Sequence, residues 1–173
     1  MGCDIHMYVE YKRSDNDREQ FTNFGSRINP GRNYYMFGLL SKGVRSDNEN
    51  GIEPKGLPPF KTLGYYTITD VSDFIVDEND NDESGYISKE RAHEYIKKGY
   101  TTYTDESKTR VFASDWHSHT WLTRDEYKKQ LEIYYQHPDS QQYKEPEYNV
   151  MLAILDSFEE QGFESRVVFW FDN

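Results

Sequence analysis

The sequence predicts an α+β fold: a mostly antiparallel sheet that includes the N- and C-terminal strands, with about three to four helices packed on it. Three observations lead there. Residues 4–12 alternate, with Ile5, Met7, Val9 and Tyr11 on one face and Asp4, His6, Tyr8 and Glu10 on the other, which is the period of a strand with one buried face. Met151, Ile154, Leu155 and Phe158 recur at i, i+3, i+4 and i+7, the stripe of a helix that buries one side. The chain closes on "SRVVFWFDN", a β-rich run. Both terminal runs are apolar enough for the middle of a sheet, and pairing between them is expected.

The remaining elements follow in chain order. "SDNDREQ" at 14–20 is a polar turn, so residues 1–26 read as a hairpin. Asn29-Pro30-Gly31 marks another turn, and a short helix is expected from Asn33 to Ser41, ended by Gly43. Residues 45–59 are polar and rich in Gly and Pro, the composition of a long loop, and such loops often carry function. "YYTIT" and "DFIV" within 60–76 are strand-like. An acidic loop, "DENDNDESG", precedes a helix from Ser88 to Lys98, with Ser88 as N-cap, Glu90 in the first turn and Gly99 past the end. Thr123 and Glu126 form a capping box for a helix that runs to about Gln136, where Pro138 stops it. The last helix is expected over about Glu147–Gln161, with Gly162 as its C′ residue. The chain of 173 residues reads as one domain, with 77–100 as an insertion or excursion.

Composition narrows the function classes. Acids number 31 against 20 bases, a net charge of −11. Duplex DNA or RNA needs a cationic face that releases counterions, so neither is an expected partner. A small anionic ligand stays open, because a few placed arginines hold it locally. So does a protein-binding inhibitor that works through the acidic surface. Aromatic residues make up 16% of the chain and supply much of the burial, despite a mean hydropathy of −0.98. One cysteine excludes an internal disulfide framework and fits a reducing cytoplasm. No apolar run approaches membrane-spanning length, and no secretory signal is read at the start. Met-Gly-Cys resembles an acylation signal, but that pattern needs Ser or Thr where His6 stands.

Four groups of residues carry candidate chemistry. Asp4 and His6 sit two apart on one strand face, an arrangement for acid–base work or metal ligation. In "DWHSHTW", Asp115, His117 and His119 alternate, so an extended segment would project all three from one side. Asp4, His6 and His117 are therefore the catalytic candidates, and His119 and Asp115 the candidate ligands of a divalent metal, zinc or manganese. Arg32, Asn33, Tyr34 and Arg45 flank the short helix and suit phosphate or carboxylate contacts and base stacking. Ser118 and Trp121 join them as ligand-binding candidates. Asp80, Asp82, Ser84 and Tyr86 match the first positions of a calcium-binding EF-hand loop, but the closing bidentate Glu is replaced by Arg91, with Glu90 one place early.

Taken as a set, "MGCDIHMYVEY", "RNYYMFGLLSKGVR", "KGLP", "DWHSHTWLT" and "RVVFWFDN" resemble a group of small proteins encoded by phages and prophages. The resemblance spans the chain in pieces and leaves out the acidic stretch at 77–100. It implies a small accessory protein in the cytoplasm of a host cell. In that context two activities are expected. One is hydrolysis of a phosphodiester or pyrophosphate in a small nucleotide, an immune signal of the host being one candidate. The other is sequestration of such a nucleotide without cleavage. A homo-oligomer is compatible with either.

Overall fold

The computed structural model describes residues 2–12, 21–56, 58, 72–76, 86–97, 101–104, 109–112, 116–138, 140 and 145–172. The chain divides into two compact units. One is built from Met1–Gly64 together with Ser118–Asn173, and the other from Tyr65–His117.

The first unit is an α+β layer. Its sheet is formed by β1 (Asp4–Lys12), β2 (Thr22–Ile28), β7 (Trp116–Thr123, in this unit from Ser118 on) and β8 (Glu164–Asp172), in the order β2-β1-β8-β7. The two terminal strands are thus the central pair. They run antiparallel in an unbroken register from Asp4↔Asp172 to Lys12↔Glu164. This register puts Ile5, Met7 and Val9 opposite Phe171, Phe169 and Val167, and all six are buried in the core. Three helices cover that face: α1 (Tyr34–Leu40), α3 (Arg124–Gln136) and α4 (Pro146–Glu160). They contribute Phe37, Leu40, Tyr127, Leu131, Met151 and Leu155 to one apolar cluster.

The helix boundaries have local causes. Thr123 and Glu126 close the expected capping box on α3. Gly162 takes φ 82 just beyond α4, where its N–H donates to the Glu159 carbonyl and the Phe163 N–H to the Phe158 carbonyl. Residues 45–56 fold back on α1, with the Ile52 N–H on the Leu39 carbonyl at 3.1 Å and the Lys42 N–H on the Ile52 carbonyl at 2.8 Å. Gly38 permits this approach, because a Cβ there would collide with Ser46 Oγ.

The opposite face of β1 departs from the expected half-buried strand. Tyr8 is 8% exposed and Glu10 fully buried, so that face is closed in the middle and partly open at its Asp4 and Lys12 ends. Glu10 tolerates burial because Arg166, its cross-strand partner, donates Nε–H to it at 2.8 Å. The Arg166 guanidinium also lies 3.6 Å from the Phe21 ring centroid.

The second unit contains β3 (Ser72–Val76), β4 (Tyr86–Ile87), α2 (Lys89–Lys97), β5 (Thr101–Thr104) and β6 (Thr109–Phe112), with strand order β4-β3-β6-β5. β3 and β4 pair parallel, and the other neighbours pair antiparallel. Ser88 caps α2, its Oγ accepting the Arg91 N–H at 3.3 Å. The described part of the expected 77–100 excursion falls inside this unit. "YYTIT" at 65–69, the acidic loop with Asp80, Asp82 and Ser84, and Asp115 lie outside the described residues. Tyr86 opens β4. Among the described residues no helix is long and apolar enough to cross a membrane.

Candidate functional site

The candidate site is the Asp4 end of β1. Because β1 and β8 are antiparallel, Asp4 stands directly opposite Asp172, and two facing carboxylates repel. Each is compensated separately. Arg32, two residues before α1, grips Asp4 with both arms of its guanidinium, Nε at 2.6 Å and Nη2 at 2.8 Å. That contact holds the Asp4 carboxyl below the usual carboxylate range and raises the guanidinium in turn. Gly2 makes room for it, since a Cβ at that position would collide with the Arg32 guanidinium. Asp172 takes the Asp4 backbone N–H on Oδ1 at 3.2 Å and the His6 ring on Oδ2 at 2.7 Å.

His6 sits between an acid and a base. Its Nε2 meets Asp172, and its Nδ1 meets Nη1 of Arg27 at 2.6 Å. Arginine only donates, so Nδ1 must be the acceptor and the proton must lie on Nε2. The contacts therefore require the neutral Nε2–H tautomer, donating to Asp172. Arg27 reaches His6 because β2 bulges there. Between Phe24 and Ile28 β2 advances four residues while β1 advances two, from Val9 to Met7. Gly25 absorbs part of the turn at φ 76.

The third arginine arrives from the far side. Arg45 holds a left-handed backbone, φ 58, uncommon for a residue with a Cβ. Its Nη2 donates to the Gly2 carbonyl at 3.3 Å, and its guanidinium lies 5.8 Å from the Tyr34 ring centroid. The Tyr34 hydroxyl accepts the Cys3 N–H at 3.3 Å, and the residue is 39% exposed. Cys3 itself is buried. Burial pushes its thiol up while Arg45 works against that shift, and the result is a protonated side chain rather than a ready nucleophile.

Thus Asp4, His6, Arg32, Tyr34 and Arg45 converge on residues 2–6. The other expected site residues are placed differently. Asn33 is a structural cap: its Oδ1 accepts the Met36 N–H at 3.0 Å, and its Nδ2 donates to Tyr134 Oη and Glu145 Oε2, each at 2.8 Å. Those contacts occupy the amide at both ends. Trp121 lies under Lys55, whose ammonium is 4.2 Å from the ring centroid and pairs with Glu126. Ser118 has φ 54, so the strict alternation expected through Asp115, His117 and His119 does not run through it. His117 is half-buried at the start of β7. His119 lies on the His6 side of the sheet. Trp170 on the intervening strand stacks on both rings, 5.5 Å from His6 and 6.0 Å from His119 between centroids. Among the described residues no group of three or more His, Cys, Asp or Glu is placed to hold a metal ion.

Two site residues, Arg27 and Asp172, escaped sequence reasoning. The signal for Arg27 was an isolated glycine, Gly25, in a strand-like stretch, which suggests a bulge. The signal for Asp172 was the expected pairing of the terminal strands, which already sets "DIH" beside "FDN". Comparison of the chain with known proteins found no matching family model, no matching curated protein and no matching solved structure.

Proposed function

We propose that this corner binds a small phosphate-bearing ligand of nucleotide type and holds it without cleaving it. One observation carries the reading: three guanidinium groups, Arg27, Arg32 and Arg45, are anchored within residues 2–6, in a chain whose net charge is −11. Against Asp4 and Asp172 they leave the corner with a net positive charge in an acidic chain. Arginine forks fit phosphate oxygens, and the exposed Tyr34 ring offers a face for a base. Sequestration is favoured over cleavage because Asp4 is held bidentately and both ring nitrogens of His6 are occupied. An accessory protein of the phage type that this chain resembles would in this way remove a signalling nucleotide from circulation.

Hydrolysis of a phosphodiester or pyrophosphate is the second reading, and the Asp172–His6 contact of 2.7 Å favours it. An acid-oriented imidazole is the usual proton carrier in such a step.

The test is calorimetric titration with inorganic pyrophosphate, nucleoside diphosphates and cyclic dinucleotides, followed by chromatography of the ligand released on heating. Binding by at least one of these is expected, with the ligand recovered intact. Arg32→Lys and Arg45→Gln are each expected to weaken it about tenfold or more, the worth of one charge-assisted hydrogen bond. Recovery of cleavage products that vanish in His6→Ala selects hydrolysis instead, and their loss on chelation would add a metal to that mechanism. No binding by any member of the panel overturns both readings and leaves the acidic surface as the working part.

A further inference from the structure

Arg27 does not behave like the other two arginines of the corner. Arg32 satisfies a carboxylate with two parallel bonds, and Arg45 is held by a carbonyl and an aromatic ring. Arg27 is exposed; among the described residues its hydrogen bond goes to the imidazole of His6, and the Asp4 carboxylate attracts it without accepting a hydrogen bond from it. A guanidinium has five N–H donors, and a single bond to a neutral nitrogen uses one of them. A phosphate oxygen is the stronger acceptor, because hydrogen bonds between two charged groups are about twice as strong as neutral ones.

The position of Arg27 also fits a displaceable group. It stands on the bulge of β2, beside Gly25 with φ 76, and at this bulge the regular β1–β2 pairing is interrupted between Ile28 and Phe24. His6, by contrast, is fixed from two sides. Asp172 holds Nε2 at 2.7 Å, and the Trp170 ring stacks on the imidazole within 7° of parallel. If one side of the Arg27–His6 bond gives way, it is the arginine.

We propose that Arg27 is a ligand-displaced cap on His6. In the free protein its guanidinium covers Nδ1. An incoming phosphate draws it away, and Nδ1 becomes an open acceptor beside the bound ligand while Asp172 keeps the proton on Nε2. The inference rests on the reading of this corner as a phosphate site, and it adds a specific consequence. Binding and the exposure of His6 Nδ1 as a hydrogen-bond acceptor become a single event. Arg27 both contacts the anion and decides when His6 is available.

The experiment reads the imidazole directly. Protein carrying ¹⁵N-histidine is titrated with inorganic pyrophosphate at one fixed pH, and the His6 ring nitrogens are followed by long-range ¹H–¹⁵N correlation. The free protein is expected in the Nε2–H tautomer, and saturation with pyrophosphate should move the Nδ1 resonance toward that of a free acceptor. Arg27→Ala should place Nδ1 at that position without ligand, abolish the ligand-dependent move and weaken pyrophosphate about tenfold. Arg27→Lys, which keeps the charge but loses the fork, should recover part of the affinity. Pyrophosphate that binds while Nδ1 stays in place overturns the cap and leaves the phosphate site standing. So does unchanged affinity in Arg27→Ala. Failure of pyrophosphate and the nucleotides to bind the wild-type protein overturns the phosphate site, and the cap with it.

Discussion

Glu10 and Arg166 form a buried ion pair outside the candidate site. Their side chains are 0% and 3% exposed, and they face each other across the two central strands. A buried ion pair is not in itself a large source of stability, because desolvating both groups offsets most of their attraction. Removing one partner is another matter, since the remaining charge stays in a site built to exclude water. Glu10→Ala is expected to destabilise the first unit by about 3–5 kcal/mol. Urea denaturation followed by circular dichroism checks this. The double change Glu10→Leu with Arg166→Met removes both charges and should recover most of the loss. If the double variant is no better than the single one, the pair contributes through shape and not through charge. Asp4 and Arg32 make the contrast. Theirs is an ion pair at the surface, with the side chains 38% and 54% exposed, so its service is to hold the guanidinium in place and not to hold up the fold.

At the scale of elements, the bulge in β2 is what turns a plain edge strand into one wall of the site. Gly25 takes φ 76 with open space around its α-carbon, so the constraint on this position is conformational and not steric crowding. An L-residue in that region costs about 1–2 kcal/mol, and asparagine pays less than alanine or valine. Gly25→Val is therefore expected to lower stability by about 1–2 kcal/mol, with Gly25→Asn close to wild type, in the same urea assay. The His6 Nδ1 resonance should shift in the valine variant, because Arg27 is aimed by this turn. Stability equal to wild type in Gly25→Val would mean that the strand re-registers at no cost. The bulge also explains which parts could be read without a structure. β1, α3 and α4 were legible because burial imposes a period of two or of about 3.6 over eight or more residues, and Thr123, Glu126 and Gly162 mark helix ends chemically. Arg32, Tyr34 and Arg45 were legible as residue types, since their chemistry is theirs alone. Arg27 and Asp172 were not, because each reaches its place by pairing between strands distant in sequence, and register leaves little local trace. Asn33 caps α1, a role that its place immediately before a helix favours.

At the scale of the molecule, buried phenols set a limit on the alkaline side. Tyr127, Tyr134 and Tyr148 lie between α1, α3 and α4, each at most 2% exposed. Burial raises the ionisation of all three: Tyr134 to about 12, and Tyr127 and Tyr148 well above the ordinary value of 10.0. Tyr127 donates its hydroxyl to the Tyr148 carbonyl at 3.1 Å, and Tyr134 donates to Glu145, so each of these two phenols needs its proton for the contact it makes. The folded state thus holds these protons longer than the unfolded chain does. Their contribution to stability is full below the unfolded value near 10 and is lost as pH rises through the folded values. Every phenolate formed also adds to a net charge that is already −11. Unfolding of the first unit is therefore expected between pH 10 and about 12, and tyrosinate absorbance from the buried three should appear together with the loss of helical circular dichroism. Tyr134→Phe should shift this transition upward in pH, because it removes one coupled ionisation, and should lower stability near neutral pH by about 1 kcal/mol through the lost hydrogen bonds to Asn33 and Glu145. Phenols that ionise near 10 with the helices intact would show that water reaches the α1–α3–α4 layer, and its packing would then be looser than the buried contacts imply.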